Sequence, residues 1–427
     1  MTVAIFLIIL LGFIALGMPI AFSLLLAAIG LMVHLELFDV QILAQNLLAG
    51  ADNFALMAVP LFLLAGEIMN EGGMSKRMVA LAVAMVGHVR GGVGYVAIIA
   101  SVLLAALSGS AVADSAALAA MLVPMLKERG YSPKTSCGLV AAGGIIAPVI
   151  PPSISFIIFA VATNMSVTKL FMAGIVPGLL MGMTLLVVWF FVSRSNDHET
   201  PMPKASWAER SKALRESVWA LMLPVIIIGG LKFGIFTPTE AAAVAATYAL
   251  FVGLFVYKGI KFSNLMGLVT RAAMTTATVM FLVASALVTS YMITLADLPS
   301  DLIELLGPLV DSPILLMLVL VALLVVIGMA MDLTPTILIL APVLVPVIQK
   351  AGIDLTYFGV IFIMVGCTGL LTPPVGTVLN VVSGVAKIRM EDMVKGVLPY
   401  VIAYTILILL LVIFPGIITV PAKWFFS

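Results

Sequence analysis

Long apolar runs dominate the chain, and short tracts of proline, glycine, serine or charge divide them. A helix that crosses a bilayer needs about 20 mostly apolar residues. Runs approaching that length fall at about 3–16, 19–33, 54–70, 137–161, 170–193, 218–231, 240–257, 272–294, 357–386 and 397–415. The first two are short, and Gly17-Met18-Pro19 between them reads equally as a kink within one long helix. Two further regions differ. One, at about 92–127, is interrupted at Ser108-Gly109-Ser110, and the other, at about 313–349, near Gly328-Met329-Ala330-Met331-Asp332. Each half is short for a crossing and each break is polar, so both regions read as re-entrant helical hairpins. Irregular backbone at membrane depth survives only when buried in protein or lining a wet cavity. Two ordinary spans joined by a tight loop is the alternative in each region.

The pattern recurs at an offset of 222. Pro124 falls on Pro346, Gly130 on Gly352, Gly144 on Gly366, and Pro151-Pro152 on Pro373-Pro374. Ser110 falls on Asp332, so the two hairpin tips coincide. Loop charge then gives the relation between the halves. Segment 75–90 holds Lys76, Arg77 and Arg90, whereas 297–311 holds Asp297, Asp301, Glu304 and Asp311 and no basic residue. Segment 34–52 carries Glu36, Asp39 and Asp52, against Lys258, Lys261 and Arg271 in its counterpart. Lys and Arg collect in cytoplasmic loops, so equivalent loops face opposite sides and the repeat is inverted. The basic loops 194–215 and 387–395 fall on the cytoplasmic side of the same scheme, and both termini come out external.

The expected fold is an all-α polytopic membrane protein with about ten spans and two re-entrant hairpins. Residues 1–427 form one membrane domain: scaffold at 1–74, first repeat at 75–193, cytoplasmic loop and scaffold at 194–296, second repeat at 297–427. Composition agrees, because 10% charged residues is well below the roughly 25% of an ordinary soluble domain. The N-terminus lacks a basic region and a cleavage site and reads as a retained span. A net charge of +1 gives no reason to expect nucleic acid. Cys137 and Cys367 lie in apolar runs and suggest neither a disulfide nor a transition-metal site. His34, His88 and His198 fall in loops or interfacial segments, so no Ser–His pair sits at membrane depth and an enzyme is not expected. No phosphate-binding Gly-x-x-x-x-Gly-Lys-Ser/Thr loop occurs, so ATP is not the direct energy source.

Inverted repeats with broken helices belong to secondary transporters, whose ligands bind near the midplane where the broken elements meet. Helix N-termini there offer N–H groups to an anion, and unwound carbonyls and hydroxyls offer oxygens to sodium. Prolines free upstream carbonyls by removing N–H donors. The oxygens come from four places: Ser108–Ser110, Ala147–Ser153, Gly328–Thr334 and Cys367–Pro374. Pro-Pro also reads as a simple helix kink. Asp332, a carboxylate between apolar runs, suits a cation site or the support of the tip, and it also suits the N-cap of the helix that follows. Asp114 is similar, or structural. Glu67 and Glu240 read as buried or interfacial polar contacts. A channel, or an ion-coupled organic anion transporter or exchanger working alone, is the rival reading.

At these residues the chain resembles the large membrane subunit of the tripartite ATP-independent periplasmic (TRAP) transporters. The stretches that carry the resemblance are Ser108–Ala117, Pro124–Tyr131, Ile150–Ser153 and Thr372–Gly376. Gly328 to Asp332 fits the family's Gly-x-x-x-Asp pattern. The resemblance implies an elevator mechanism in a bacterial inner membrane. It implies a small four-helix DctQ-like membrane subunit and a periplasmic substrate-binding protein as partners. It also implies an organic acid (dicarboxylate, sialic acid or sugar acid) as substrate, with sodium as coupling ion. Carried over residue by residue, the sodium-site candidates are Ser108, Gly109, Ser110, Pro148, Pro151, Gly328, Asp332, Thr334, Thr368, Thr372 and Pro373. The substrate-site candidates are Ser110, Asp114, Pro152, Ser153, Pro374, Gly376 and Asn380.

Overall fold

The computed structural model describes residues 2–194, 201–297 and 307–426, and among these every regular element is helical. The chain runs α1 (Thr2–Ala15), α2 (Ile20–His34), α3 (Val40–Ala51), α4 (Ala58–Glu71) and α5 (Met74–Val86). The first hairpin is α6 (Gly92–Ser108) with α7 (Ala111–Glu128), and the first broken span is α8 (Pro133–Gly144) with α9 (Ile154–Ala162). Then come α10 (Val167–Arg194), α11 (Trp207–Lys232), α12 (Pro238–Phe251) and α13 (Leu265–Leu295). The second hairpin is α14 (Pro313–Gly328) with α15 (Leu333–Lys350), and the second broken span is α16 (Leu355–Gly369) with α17 (Thr377–Ala386). α18 (Met390–Ile413) and α19 (Gly416–Phe426) close the chain.

Seven helices among the described residues are long and apolar enough to cross a membrane. Six lie on expected spans, and the seventh is Leu333–Lys350. That hairpin arm was expected to be too short, but its 18 residues continue through Pro342 and Pro346. The other four expected spans are α1, α2 and the two broken spans, whose pieces are each shorter than 18 residues. Gly17-Met18-Pro19 is a turn and not a kink. Gly17 takes a left-handed φ of 83°, Met18 N–H bonds back to Phe13 O at 3.1 Å, and α1 and α2 pack against one another. This is the Schellman closure that ends a helix.

Three segments read as loops contain helix. Val40–Ala51 lies within 34–52, Met74–Val86 covers most of 75–90, and α11 starts at Trp207 inside 194–215. Each carries enough polar residues to look like a connector, yet α3 packs on α13 and α5 on α6 and α11. α19 was not expected, and it packs on α10. Glu240 is not buried. It completes a capping box with Thr237 at the exposed start of α12, where it accepts from Thr237 N–H at 2.8 Å.

Helices recur at the expected offset: Ala111–Glu128 maps on Leu333–Lys350 residue for residue, and α6, α8 and α9 map on α14, α16 and α17 within three residues. The halves interlock. α9 packs on α15 of the other half, and α17 on α7. Between α9 and α16, Phe159 sits 6.3 Å from Phe358 and 5.4 Å from Phe362, ring centre to ring centre, and all three are buried. α8 and α18 approach to backbone contact. A Cβ on Gly138 would stand 2.1 Å from Gly396 O, and one on Gly396 2.0 Å from Lys134 O. Small residues allow such approach, which membrane helices use in place of a strong hydrophobic drive.

Gly138→Ala therefore forces α8 and α18 apart and lowers the melting temperature in detergent, at a cost of about 1–3 kcal/mol or more. Gly229→Ala, in α11 with nothing within 4 Å of the added carbon, leaves it unchanged or raises it.

Candidate functional site

Each hairpin tip docks on the break of its own half. At the first tip Gly109 adopts a left-handed φ of 64°, and a Cβ there would lie 2.5 Å from Pro152 O. Only glycine fits both conditions. Since Pro152 lies between α8 and α9, the tip ends midway along that broken span, as a re-entrant hairpin requires. Ser110 is the N-cap of α7, accepting from Ala113 N–H at 3.4 Å. The Ser108 hydroxyl bonds Asp114 Oδ1, while Asp114 Oδ2 is buried with no hydrogen-bond partner. Asp114 is 3% exposed and stands behind the tip.

The first break, 145–153, is buried throughout. Ser153 caps α9 through Phe156 N–H at 3.2 Å and donates its own proton to Pro148 O. At the second tip Gly328 meets Gly369, where a Cβ on Gly369 would stand 2.7 Å from Gly328 Cα. Val375 N–H donates to Met329 O at 3.1 Å, tying the second break to the second tip. Asp332 occupies the N-cap position of α15 but makes no side-chain capping bond. Its Oδ1 accepts instead from Thr377 Oγ1 at 3.3 Å. The peptide bonds Pro151-Pro152 and Pro373-Pro374 are both cis.

The tips and breaks converge on a cavity of about 390 Å³, walled on its far side by α4 and α13. Of the candidates, Ser108, Gly109, Ser110, Pro148, Asp332 and Thr334 line it. The others do not. Asp114 lies behind Ser108, Pro151, Pro152 and Ser153 are buried in the first break, and Gly328 is packed on Gly369. Thr368 and Thr372 bond back to Met364 O and Thr368 O at 3.0 Å each, which turns their hydroxyl protons into the helix. Pro373 is half-buried, Pro374 and Asn380 are exposed, and Gly376 is the left-handed N-cap of α17. The Asn380 amide donates to Val375 O at 2.8 Å.

Several lining residues besides Glu67 were not singled out from the sequence. Ser155 stands in the first turn of α9, and Gly66 and Asn70 share one face of α4 with Phe62 and Glu67. On α13 the lining face is Ala272, Thr275 and Val279. The spacing of Ala272, Thr275 and Val279, at i, i+3 and i+7, marks a helix face, but nothing in that pattern says which face meets a cavity. Glu67 is no buried contact: its side chain is 38% exposed and its Oε2 pairs with Arg271 Nε at 3.1 Å.

Residues 7–417 match the family described as tripartite ATP-independent periplasmic transporter, DctM component. The chain belongs to this family. It is 54% identical over 425 residues to the 2,3-diketo-L-gulonate TRAP transporter large permease protein YiaN of Escherichia coli, covering 99% of this chain and 100% of that one. Identity is 38% over 405 residues to the sialic acid TRAP transporter large permease protein SiaM of Vibrio cholerae (95% of each chain). It is 36% over 386 residues to the C4-dicarboxylate TRAP transporter large permease protein DctM of Pseudomonas aeruginosa (90% of each). The fold is like that of the Alcanivorax borkumensis YdaH transporter, with a TM-score of 0.64 at 16% identity over 90% of this chain and 86% of that one. This TRAP large permease is a membrane transport protein.

Ser108→Ala leaves the buried Asp114 carboxylate without its one hydrogen bond and destabilises the permease by about 1–3 kcal/mol. Asp114→Asn added to that variant recovers part of the loss, because the buried charge is gone. Thermal unfolding of the three proteins in detergent measures both effects.

Proposed function

We propose that this permease carries an organic acid inward across the bacterial inner membrane together with sodium ions, by an elevator movement. A periplasmic binding protein delivers the substrate, and a small membrane subunit widens the scaffold. The observation that carries this reading is the cavity at which both tips, Pro148 and Leu370 meet the α4 and α13 walls. Its chemistry suits a carboxylate and a hard cation together. Ala111 and Val112, at the start of α7, line the cavity, and a helix N-terminus there suits an anion. Asp332 and the Ser108, Ser110 and Thr334 hydroxyls supply oxygens for sodium, as do carbonyls near Pro148, whose own nitrogen carries no proton. Those residues fit sodium, which binds oxygen ligands and needs no His or Cys.

The interlock of α7 with α17 and of α9 with α15 gives a body that can move as one piece. In this reading that body is 92–162 with 313–386, and α4 and α13 belong to the stationary part. The substrates named for the three relatives described above are carboxylic acids, and identity of 54% with the 2,3-diketo-L-gulonate permease favours a sugar acid.

Uptake of radiolabelled sugar acids, sialic acid and succinate into proteoliposomes tests the reading, with the three components left out in turn. Uptake that needs an inward sodium gradient and all three components supports it. Uptake by the permease alone, indifferent to sodium, overturns it in favour of a stand-alone transporter. In the complete system Ser110→Trp fills the cavity and reduces uptake to background, while the melting temperature stays within a few degrees of the parent. Asp332→Asn raises the sodium concentration for half-maximal uptake about tenfold or more, the loss expected when a charged ligand becomes neutral.

A further inference from the structure

The cavity walls hold two carboxylates, Glu67 and Asp332, and no lysine or arginine. An organic acid adds a third negative charge, and like charges in a confined site cost affinity. The structure supplies one cation at the edge of the cavity. Arg271 lies one residue before Ala272 and one turn before Thr275, both of which line the α13 wall. Its guanidinium reaches across to α4, with Nε 3.1 Å from Glu67 Oε2 and Nη2 3.4 Å from Glu71 Oε2. These two glutamates are one helical turn apart and together occupy only one edge of the guanidinium. Among the described residues Nη1 has no partner, and the Arg271 side chain remains 52% exposed.

We propose that Arg271 binds the substrate carboxylate directly, on the open Nη1/Nη2 edge of its guanidinium, while Glu67 and Glu71 hold the adjacent Nε/Nη2 edge. An arginine offers five donors in a rigid plane, so one edge can be anchored while another takes a carboxylate by two parallel bonds. The glutamates orient the plane, and they also leave the group of three with a net charge of −1. That charge tempers the attraction, so that an acid is held without being trapped. The acid then spans the cavity from the hairpin tips to the α13 wall, with the opposite end near Ser110. This assignment rests on the reading of the cavity as an organic acid site.

The alternative is a clamp that only fastens α4 to α13, and the two roles differ in sign. A clamp is weakened alike by loss of either partner. A substrate partner is not: removing Arg271 takes the group from −1 to −2, whereas neutralising Glu67 takes it from −1 to 0. The test uses the complete three-component transporter in proteoliposomes, with 2,3-diketo-L-gulonate and its neutral methyl ester as probes. For the acid, Arg271→Gln raises the half-saturating concentration about tenfold or more, the usual range for loss of a charge-assisted pair. Arg271→Lys, which keeps the charge and loses the fork, falls between Arg271→Gln and the parent, and Glu67→Gln lowers the value or leaves it unchanged. Transport of the ester responds to none of the three. Equal impairment by Arg271→Gln and Glu67→Gln, or equal effects on acid and ester, overturns the assignment and leaves the clamp. Failure of the parent transporter to take up any organic acid overturns the transport reading itself, and the assignment falls with it.

Discussion

Backbone amides inside a membrane protein have no bulk water to turn to, so every stretch without helical hydrogen bonds needs a protein partner or a wet cavity. Four such stretches occur here, two hairpin tips and two breaks, and they are joined in pairs. Gly109 fits against Pro152, Gly328 against Gly369, and Val375 N–H closes on Met329 O. Hydroxyls finish the first pair: Ser153 caps α9 and bonds Pro148 O, and Ser110 caps α7. The oxygens that remain open face one cavity. The requirement that makes irregular backbone tolerable thus also gathers the polar groups where a charged solute can be bound.

The same pairing explains the interlock of the halves. A tip docked on its own break leaves the outgoing half-helix of that break with a free flank, and the hairpin of the other half covers it. α9 lies on α15 and α17 on α7, so the unsupported part of each half is braced by the other. The two breaks are not equally enclosed. Residues 145–153 are buried, whereas Pro374 and Val375 in the second break are exposed. The offset of 222 therefore relates the elements closely and their surroundings less so.

Much of this was legible in the residues. Ser108-Gly109-Ser110 and Gly328 to Asp332 punctuate apolar runs with groups that end helices, and the Pro-Pro pairs break their spans where the sequence suggests. The family is the one that those motifs resemble. What stayed hidden is of two kinds. Short helices with several polar residues, such as Val40–Ala51 and Met74–Val86, look like connectors because packing and not composition holds them. Residues whose meaning lies in a neighbour far along the chain are the other kind. Arg271 reads as a cation in a loop until Glu67, 204 residues away, is seen beside it. Thr368 and Thr372 donate their hydroxyl protons to Met364 O and Thr368 O and stand off the cavity lining, a placement that depends on the folded chain and not on the motif.

The central claim is that the two tips enclose a water-filled cavity in which the transported acid sits. Ala113→Cys and Thr334→Cys place a thiol at each tip, and Cys137 and Cys367 are removed first although both are buried. The measurement is the labelling rate of each thiol by a membrane-impermeant maleimide, with and without sodium plus 2,3-diketo-L-gulonate. Rapid labelling at both positions, slowed together by the two solutes and by neither buffer nor salt alone, is the predicted result. Thiols that react slowly, or that react at the same rate whatever is added, would contradict a shared aqueous binding cavity.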